Sequence, residues 1–314
     1  MPGALEGVRI LDLTRLLPGA VATQWLADYG AEVIKIEQPV IGDYARDSYA
    51  ALFERTNRGK KSVEIDLKTA KESFLKLVGS ADVLIEGFRP DVMDRLGLGY
   101  EKLHEANPRL IYVALTGYGP DTLLAGHDVN YLAMSGVLDL IRADDGRPVI
   151  PGVQIADLAG GSMQAVIGIL MAIQARHRTG MGQRVDVSMT DGLEVLLPIT
   201  RAGGSDLLSG KYACYHVYAA AEGSFVAVGA LEDKFWANLC RELGCGELIE
   251  LQFVADQAPV IAVVEGIFKT AAAEEWFARI GHKDCCVTPV RVAAPGAAME
   301  GRAPRLGEHN GEFL

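Results

Sequence analysis

The sequence predicts an α/β fold: a parallel sheet with covering helices, followed by a smaller α+β domain. Through about residue 200, short Val- and Ile-rich runs alternate with helical stretches. After Arg201 that alternation gives way to a hairpin signal and amphipathic helices. The 314 residues are 49% apolar with 35 Gly and 13 Pro, which suits about two globular domains and excludes a disordered or collagen-like chain.

The elements follow in order. Residues 8–12 predict a first strand, 19–28 a helix closed by Gly30, and 32–37 a second strand. A helix over 68–78 and strands over 81–86 and 110–115 continue the alternation. Residues 163–176 are apolar nearly all round and predict a buried helix, with another strand over 184–189. Beyond the break, 217–221 and 225–229 flank Glu222-Gly223 as a hairpin. Helices near 232–243 and 260–280 and a strand over 286–292 complete the chain. The domain boundaries are expected at 1–202, 203–290 and 291–314, with the first break near Gly203-Gly204-Ser205.

Charge narrows the function. With 30 basic and 41 acidic side chains the net charge is −11, so polyphosphate backbones are repelled and a nucleic-acid partner is not expected. The five cysteines lie in the last third, with no C-x-x-C pair and no His at zinc-finger spacing. They predict reduced thiols, no metal site and a cytoplasmic setting. The longest apolar run, residues 165–173, is too short for a bilayer, and Glu6, Arg9, Asp12 and Arg15 interrupt any signal-like stretch, so no membrane partner is expected.

Several motifs could carry chemistry, each beside a plainer use. The opening βαβ unit ends its second strand at Glu37, where a ribose-binding acid would sit. Its first turn, Thr14-Arg15-Leu16-Leu17-Pro18-Gly19, lacks G-x-G-x-x-G, which disfavours a nicotinamide cofactor. Arg55, Arg58, Lys60 and Lys61 could hold a polyanionic ligand, although locally a solvated charge run describes them at least as well. Gly87, Phe88 and Arg89 follow a predicted strand at the edge where ligands of α/β sheets bind. Arg89 and Arg95 suit phosphate contacts or surface ion pairs. His127, between Gly126 and Asp128, reads as a site-lining loop or as a capping cluster. Asp157 precedes Gly160-Gly161 at a helix start. A carboxylate there is favoured by the dipole and the glycines expose N–H groups, while an N-cap Asp is the commoner use. Glu232 likewise opens a helix, where first-turn dipole matching explains it alone.

Together these segments resemble the family III CoA-transferases, and within them the α-methylacyl-CoA racemases, over most of the chain. The resemblance rests on residues 11–19, 30–37 and 57–68, then 126–131, 157–161 and 179–183, and near the end on 286–290 and 304–309. It implies a Rossmann-like large domain completed by the C-terminal segment, a small domain, and an interlocked homodimer with the site between domains and subunits. It further implies that CoA, bound as part of the substrate and with no separate cofactor, contacts Ile65, Asp66, Leu67, Lys68, Gly87, Phe88, Arg89, Arg95 and Gly126. It casts Asp157 as the catalytic carboxylate, His127 as the racemase histidine and Glu232 as its paired acid, and gives the basic cluster a phosphate-binding rationale. Gln38 stands where several relatives carry Arg beside the nucleotide, and the stretch around 251–264 is contracted.

The expected activity is therefore racemisation at C2 of 2-methyl-branched acyl-CoA thioesters, an isomerase of lipid metabolism. His127, tuned by Glu232, and Asp157 would move a proton on opposite faces through an enolate, with N–H groups around 157–161 receiving charge. The leading alternative is a CoA-transferase with Asp157 as nucleophile. A non-catalytic acyl-CoA-binding dimer is a third reading from a different class.

Overall fold

The computed structural model describes residues 3–143, 145–296 and 299–314. The chain forms two compact units, Met1–Leu196 with Ala298–Leu314, and Leu197–Ala297. The first break precedes the glycines at 203 and 204 because Pro198 starts a new helical turn directly after Leu197.

The first unit is built on a six-stranded parallel sheet. Its strands are β1 (Arg9–Asp12), β2 (Glu32–Glu37), β3 (Lys61–Glu64), β4 (Val83–Glu86), β5 (Ile111–Thr116) and β6 (Arg184–Ser188). They lie side by side as β3-β2-β1-β4-β5-β6. This is the Rossmann-like order, and it reverses direction between β1 and β4. The central strands β4 and β5 are buried at every position, as a sheet covered on both faces requires. The edge strand β3 has charges at both ends and too short an apolar run to be predicted. It is covered by the C-terminal segment. Ser62 N–H donates to His309 Nδ1 at 3.1 Å, and His309 N–H returns a bond to Ser62 O at 2.9 Å.

Three local expectations need correction. The predicted helix 68–78 starts at Lys71, because Asp66 accepts from Lys68 N–H and Thr69 Oγ1 and holds a turn there. The helix read as buried all round is Gln164–Thr179, and it buries one side only. Ala165, Ile169 and Ala172 face inward, while Ile167, Leu170 and Met171 are exposed, Met171 to 68%. With the preceding wide turn, Ala156–Thr179 is also the one stretch among the described residues long and apolar enough to cross a membrane by length and composition; it packs on β5 and β6. Third, the four-base cluster is not a free anion patch. Lys60 is buried, its ammonium donating to Ala20 O, Thr23 Oγ1 and Asn57 Oδ1 at 2.7–3.0 Å and to Asp12 Oδ2 at 3.3 Å. Arg58 pairs with Asp28 at 2.6 Å, and Lys61 with Glu32 and Glu312. Only Arg55 has no carboxylate partner among the described residues.

At the end of β1, Asp12 anchors a buried ionic network. Burial alone would raise its carboxyl, but Lys35, Lys60 and the Thr14 and Thr23 hydroxyls together hold it at about 2. Burial in turn lowers Lys60 to about 8 against the attraction of Asp12.

The second unit is a three-stranded antiparallel sheet, β7 (Tyr215–Ala219), β8 (Phe225–Gly229) and β9 (Val287–Pro289), packed with helices. The β7–β8 hairpin turns through Glu222 and Gly223, both at positive φ. The stretch 260–280 is two helices rather than one, Ala258–Phe268 and Ala273–Ile280. The break brings Phe268 and Trp276 together in the core with rings 5.4 Å apart, and the Trp276 indole N–H donates to Phe268 O. The final strand is shorter than expected, Val287–Pro289, with one further backbone bond to β8 from Val290 N–H to Phe225 O at 2.9 Å. All five cysteines are free and only Cys286 is exposed.

Candidate active site

The strand order decides where a ligand can sit. Two cavities open along the carboxyl edge of the sheet, and Phe88 lines both. One, of about 210 Å³, is walled by residues following β1 (Leu13, Arg15), β2 (Gln38) and β3 (residues 65–68). The other, of about 530 Å³, is walled by residues 87–90 after β4, residues 115–118 around the end of β5, and the loop carrying Gly126 and His127. The smaller cavity spans the reversal of strand order between β1 and β4, the ligand crevice of open α/β folds, and the larger one adjoins it along β4 and β5. Ile65, Asp66, Leu67, Lys68, Gly87, Phe88, Arg89 and Gly126 thus meet at one edge. Arg95 ends a one-turn helix, is exposed and lines neither cavity.

Glu86, which sequence reasoning missed, sets the loop after β4. Its carboxyl accepts from Phe88 N–H at 2.7 Å and from Tyr112 Oη at 3.2 Å. Burial nonetheless pushes it up to about 7. Its signal was a carboxylate closing an otherwise apolar, fully buried strand.

The His127 loop is packed by its own glycines. A Cβ on Gly126 would lie 2.4 Å from Tyr118 Oη, and Tyr131 Oη donates to Gly126 O at 2.6 Å. His127 precedes the helix Asp128–Ser135, and its N–H donates to Asn130 Oδ1 at 3.1 Å. Its side chain is exposed at the larger cavity. Asp128 does not serve its own helix alone: its Oδ1 accepts from Asp157 N–H at 2.9 Å, tying the two loops together.

Asp157 lies near the start of a wide π-type turn, Ala156–Met163, that runs into Gln164–Thr179. Its side chain caps nothing, and its carboxylate has no hydrogen-bond partner among the described residues. Burial, and then the charge of Asp128, push it up to about 6 against the pull of His127. The neighbouring glycines do not expose N–H groups as expected. Gly160 and Gly161 are buried, and a Cβ on Gly160 would stand 2.2 Å from Met189 O, so they exist for close packing. The N–H groups of Asp157 and Leu158 are already committed to Asp128 and to Gln154 O. Glu232 belongs to the second unit, exposed, immediately before the helix Asp233–Glu242, and its side chain makes no capping bond.

Residues 5–300 match CoA-transferase family III. The human α-methylacyl-CoA racemase is 37% identical over 304 residues, covering 91% of this chain and 78% of that protein. The succinyl-CoA:mesaconate CoA-transferase of Haloarcula hispanica is 36% identical, covering 77% of this chain and 67% of that protein. Among solved structures, Rv3272 from Mycobacterium tuberculosis superposes with a TM-score of 0.84 at 30% identity, over 100% of this chain and 99% of that one. A CAIB/BAIF family protein from Brucella suis gives 0.82 at 27% identity, over 99% and 98%.

Proposed function

The chain belongs to CoA-transferase family III, an enzymatic family, and from that premise we propose that it racemises the C2 centre of 2-methyl-branched acyl-CoA thioesters. The observation that supports this most is the joining of two candidate bases. Asp128 ties the Asp157 backbone to the His127 loop, and the Asp157 carboxylate is left unbonded and near pKa 6 under the influence of both neighbours. A base poised close to neutrality is what proton abstraction next to a thioester carbonyl needs.

In this reading one base takes the C2 proton, the electron pair moves onto the thioester oxygen as an enolate, and the other base returns a proton to the opposite face. Direction of turnover decides which of His127 and Asp157 begins protonated. The substrate's nucleotide occupies the cavity at residues 65–68, and its thioester lies toward Gly126 and His127. The larger cavity's size supports a substrate of this class. Glu232 tunes His127 in a homodimer, and the free cysteines fit a cytoplasmic setting.

The unbonded Asp157 carboxylate also supports a second reading, CoA transfer. The carboxylate attacks the thioester carbonyl and CoA thiolate leaves, forming a mixed anhydride. The thiolate then attacks the aspartyl carbonyl, releasing the first acid and leaving an aspartyl-CoA thioester for the acceptor acid. The human racemase and the Haloarcula transferase differ by a single percentage point in identity to this chain, so similarity alone does not choose.

Incubation with one enantiomer of a 2-methylacyl-CoA in D₂O, with no acceptor acid, separates the two. Deuterium at C2 with loss of optical purity supports racemisation. No exchange, followed by CoA transfer once a carboxylic acid is added, overturns it.

A further inference from the structure

The turn after β1 carries a cation with no task so far. Arg15 is half-buried and lines the smaller cavity with Gln38, Lys68 and Phe88. Its guanidinium lies 4.9 Å from the centre of the Tyr44 ring and 5.8 Å from that of Phe88, and Nη1 donates to Tyr44 Oη at 2.5 Å. Among the described residues it has no carboxylate partner, whereas Arg9, Arg46, Arg58 and Arg176 each have one.

The acids of the same cavity are already satisfied. Glu37 accepts from Arg46, Ser62 Oγ and Asp43 N–H, and Asp66 from Lys68 N–H and Thr69 Oγ1. What remains open to a ligand there is cationic: most of the five guanidinium donors of Arg15 and the exposed ammonium of Lys68. The two aromatic rings hold the guanidinium in place, so little side-chain freedom is lost when an anion binds. The position follows β1 at the reversal of strand order, where phosphates of bound nucleotides lie in such sheets. Gln38, on the same wall, brings no charge.

We propose that Arg15 holds a phosphate of the CoA moiety, either the pyrophosphate or the 3′-phosphate, and supplies the charge that Gln38 does not. This rests on the reading of the substrate as a CoA thioester. The competing role is a structural one, pinning the Tyr44 segment.

Calorimetric titration of wild-type, Arg15→Ala and Arg15→Lys proteins with CoA, 3′-dephospho-CoA and pantetheine tests it. Loss of charge-assisted hydrogen bonds should weaken CoA about ten- to a hundredfold in Arg15→Ala. Arg15→Lys should fall between that variant and wild type, and pantetheine should be unaffected. A loss seen equally with CoA and 3′-dephospho-CoA assigns the pyrophosphate; a loss confined to CoA assigns the 3′-phosphate. Unchanged CoA binding in Arg15→Ala, or CoA and pantetheine weakened alike, overturns the assignment. A wild-type chain that ignores CoA defeats the substrate reading as well, whereas wild-type binding with an unaffected variant defeats this inference alone.

Discussion

Replacing Asp157 with Asn should make the protein more stable while removing its activity. The carboxyl titrates near 6 in the fold against 3.8 for the ordinary side chain, chiefly through burial and the Asp128 charge. The folded state therefore binds this proton more tightly than the unfolded chain does. Between those two values the native protein holds more protons, so this residue's contribution to stability falls as pH rises, and the penalty is complete above about 6. A shift of about two units corresponds to a ceiling of about 3 kcal/mol at about 1.4 kcal/mol per unit. The side chain retains some contact with solvent, so roughly 1–3 kcal/mol is expected. Asparagine, a neutral near-isostere, never incurs that penalty. Urea unfolding followed by far-ultraviolet circular dichroism, run from pH 4 to pH 8 on both proteins, measures the difference. It should be small near pH 4, open between pH 4 and 6, and level off in favour of the Asp157→Asn variant above that. A variant no more stable than wild type at pH 8, or a difference independent of pH, would refute the claim that the fold strains this carboxylate. The activity cost is the counterpart, since an acid or base placed at a reacting centre is typically worth about 10²–10⁴ in rate.

Asp128→Asn should move the acidic limb of the kcat/KM profile to lower pH, because it removes the like charge that raises Asp157; a limb that stays or moves up contradicts the coupling. Lys60→Met leaves the Asp12, Ala20, Thr23 and Asn57 acceptors without their buried cation and should cost about 3–5 kcal/mol in urea unfolding. A loss under about 1 kcal/mol would mean that this ion is not holding the network. Gly160→Ala places a Cβ 2.2 Å from Met189 O, so the turn bearing Asp157 must shift. That should lower kcat and cost about 1–3 kcal/mol of stability, and steady-state kinetics equal to wild type would argue against it. Under the homodimer reading, light scattering should give twice the chain mass for active protein, and full activity in a monomer counts against that assembly.

Much of the first unit was legible because its signals are local. The strand Ile111–Thr116 is buried on both faces, so its apolar content appears as an unbroken run. Glu222-Gly223 announced its hairpin through the positive φ that the turn demands. His127, Asp157 and the residues after each strand were legible as candidates, since the ends of parallel strands are where chemistry gathers.

What the sequence could not decide are the relations between distant residues. Lys60 reads as one of four surface bases, yet strand order folds it onto Asp12, 48 residues away. Asp128 reads as a cap, yet it accepts from Asp157 N–H, 29 residues on. The helix Gln164–Thr179 is apolar nearly all round, and only the neighbouring β5 and β6 determine that Ala165, Ile169 and Ala172 are the buried side. Gly160 looks like an opening for an anion until Met189 and Gly192 are seen pressed against it. Periodicity, turns and caps depend on residues a few positions apart, so composition and spacing alone determined most of the strands and helices and their approximate edges, though not β3 or the break between Phe268 and Ala273. Burial, ion pairing and the proton affinity of Asp157 depend on distances through space, and those exist only once the order β3-β2-β1-β4-β5-β6 has brought the strand ends together.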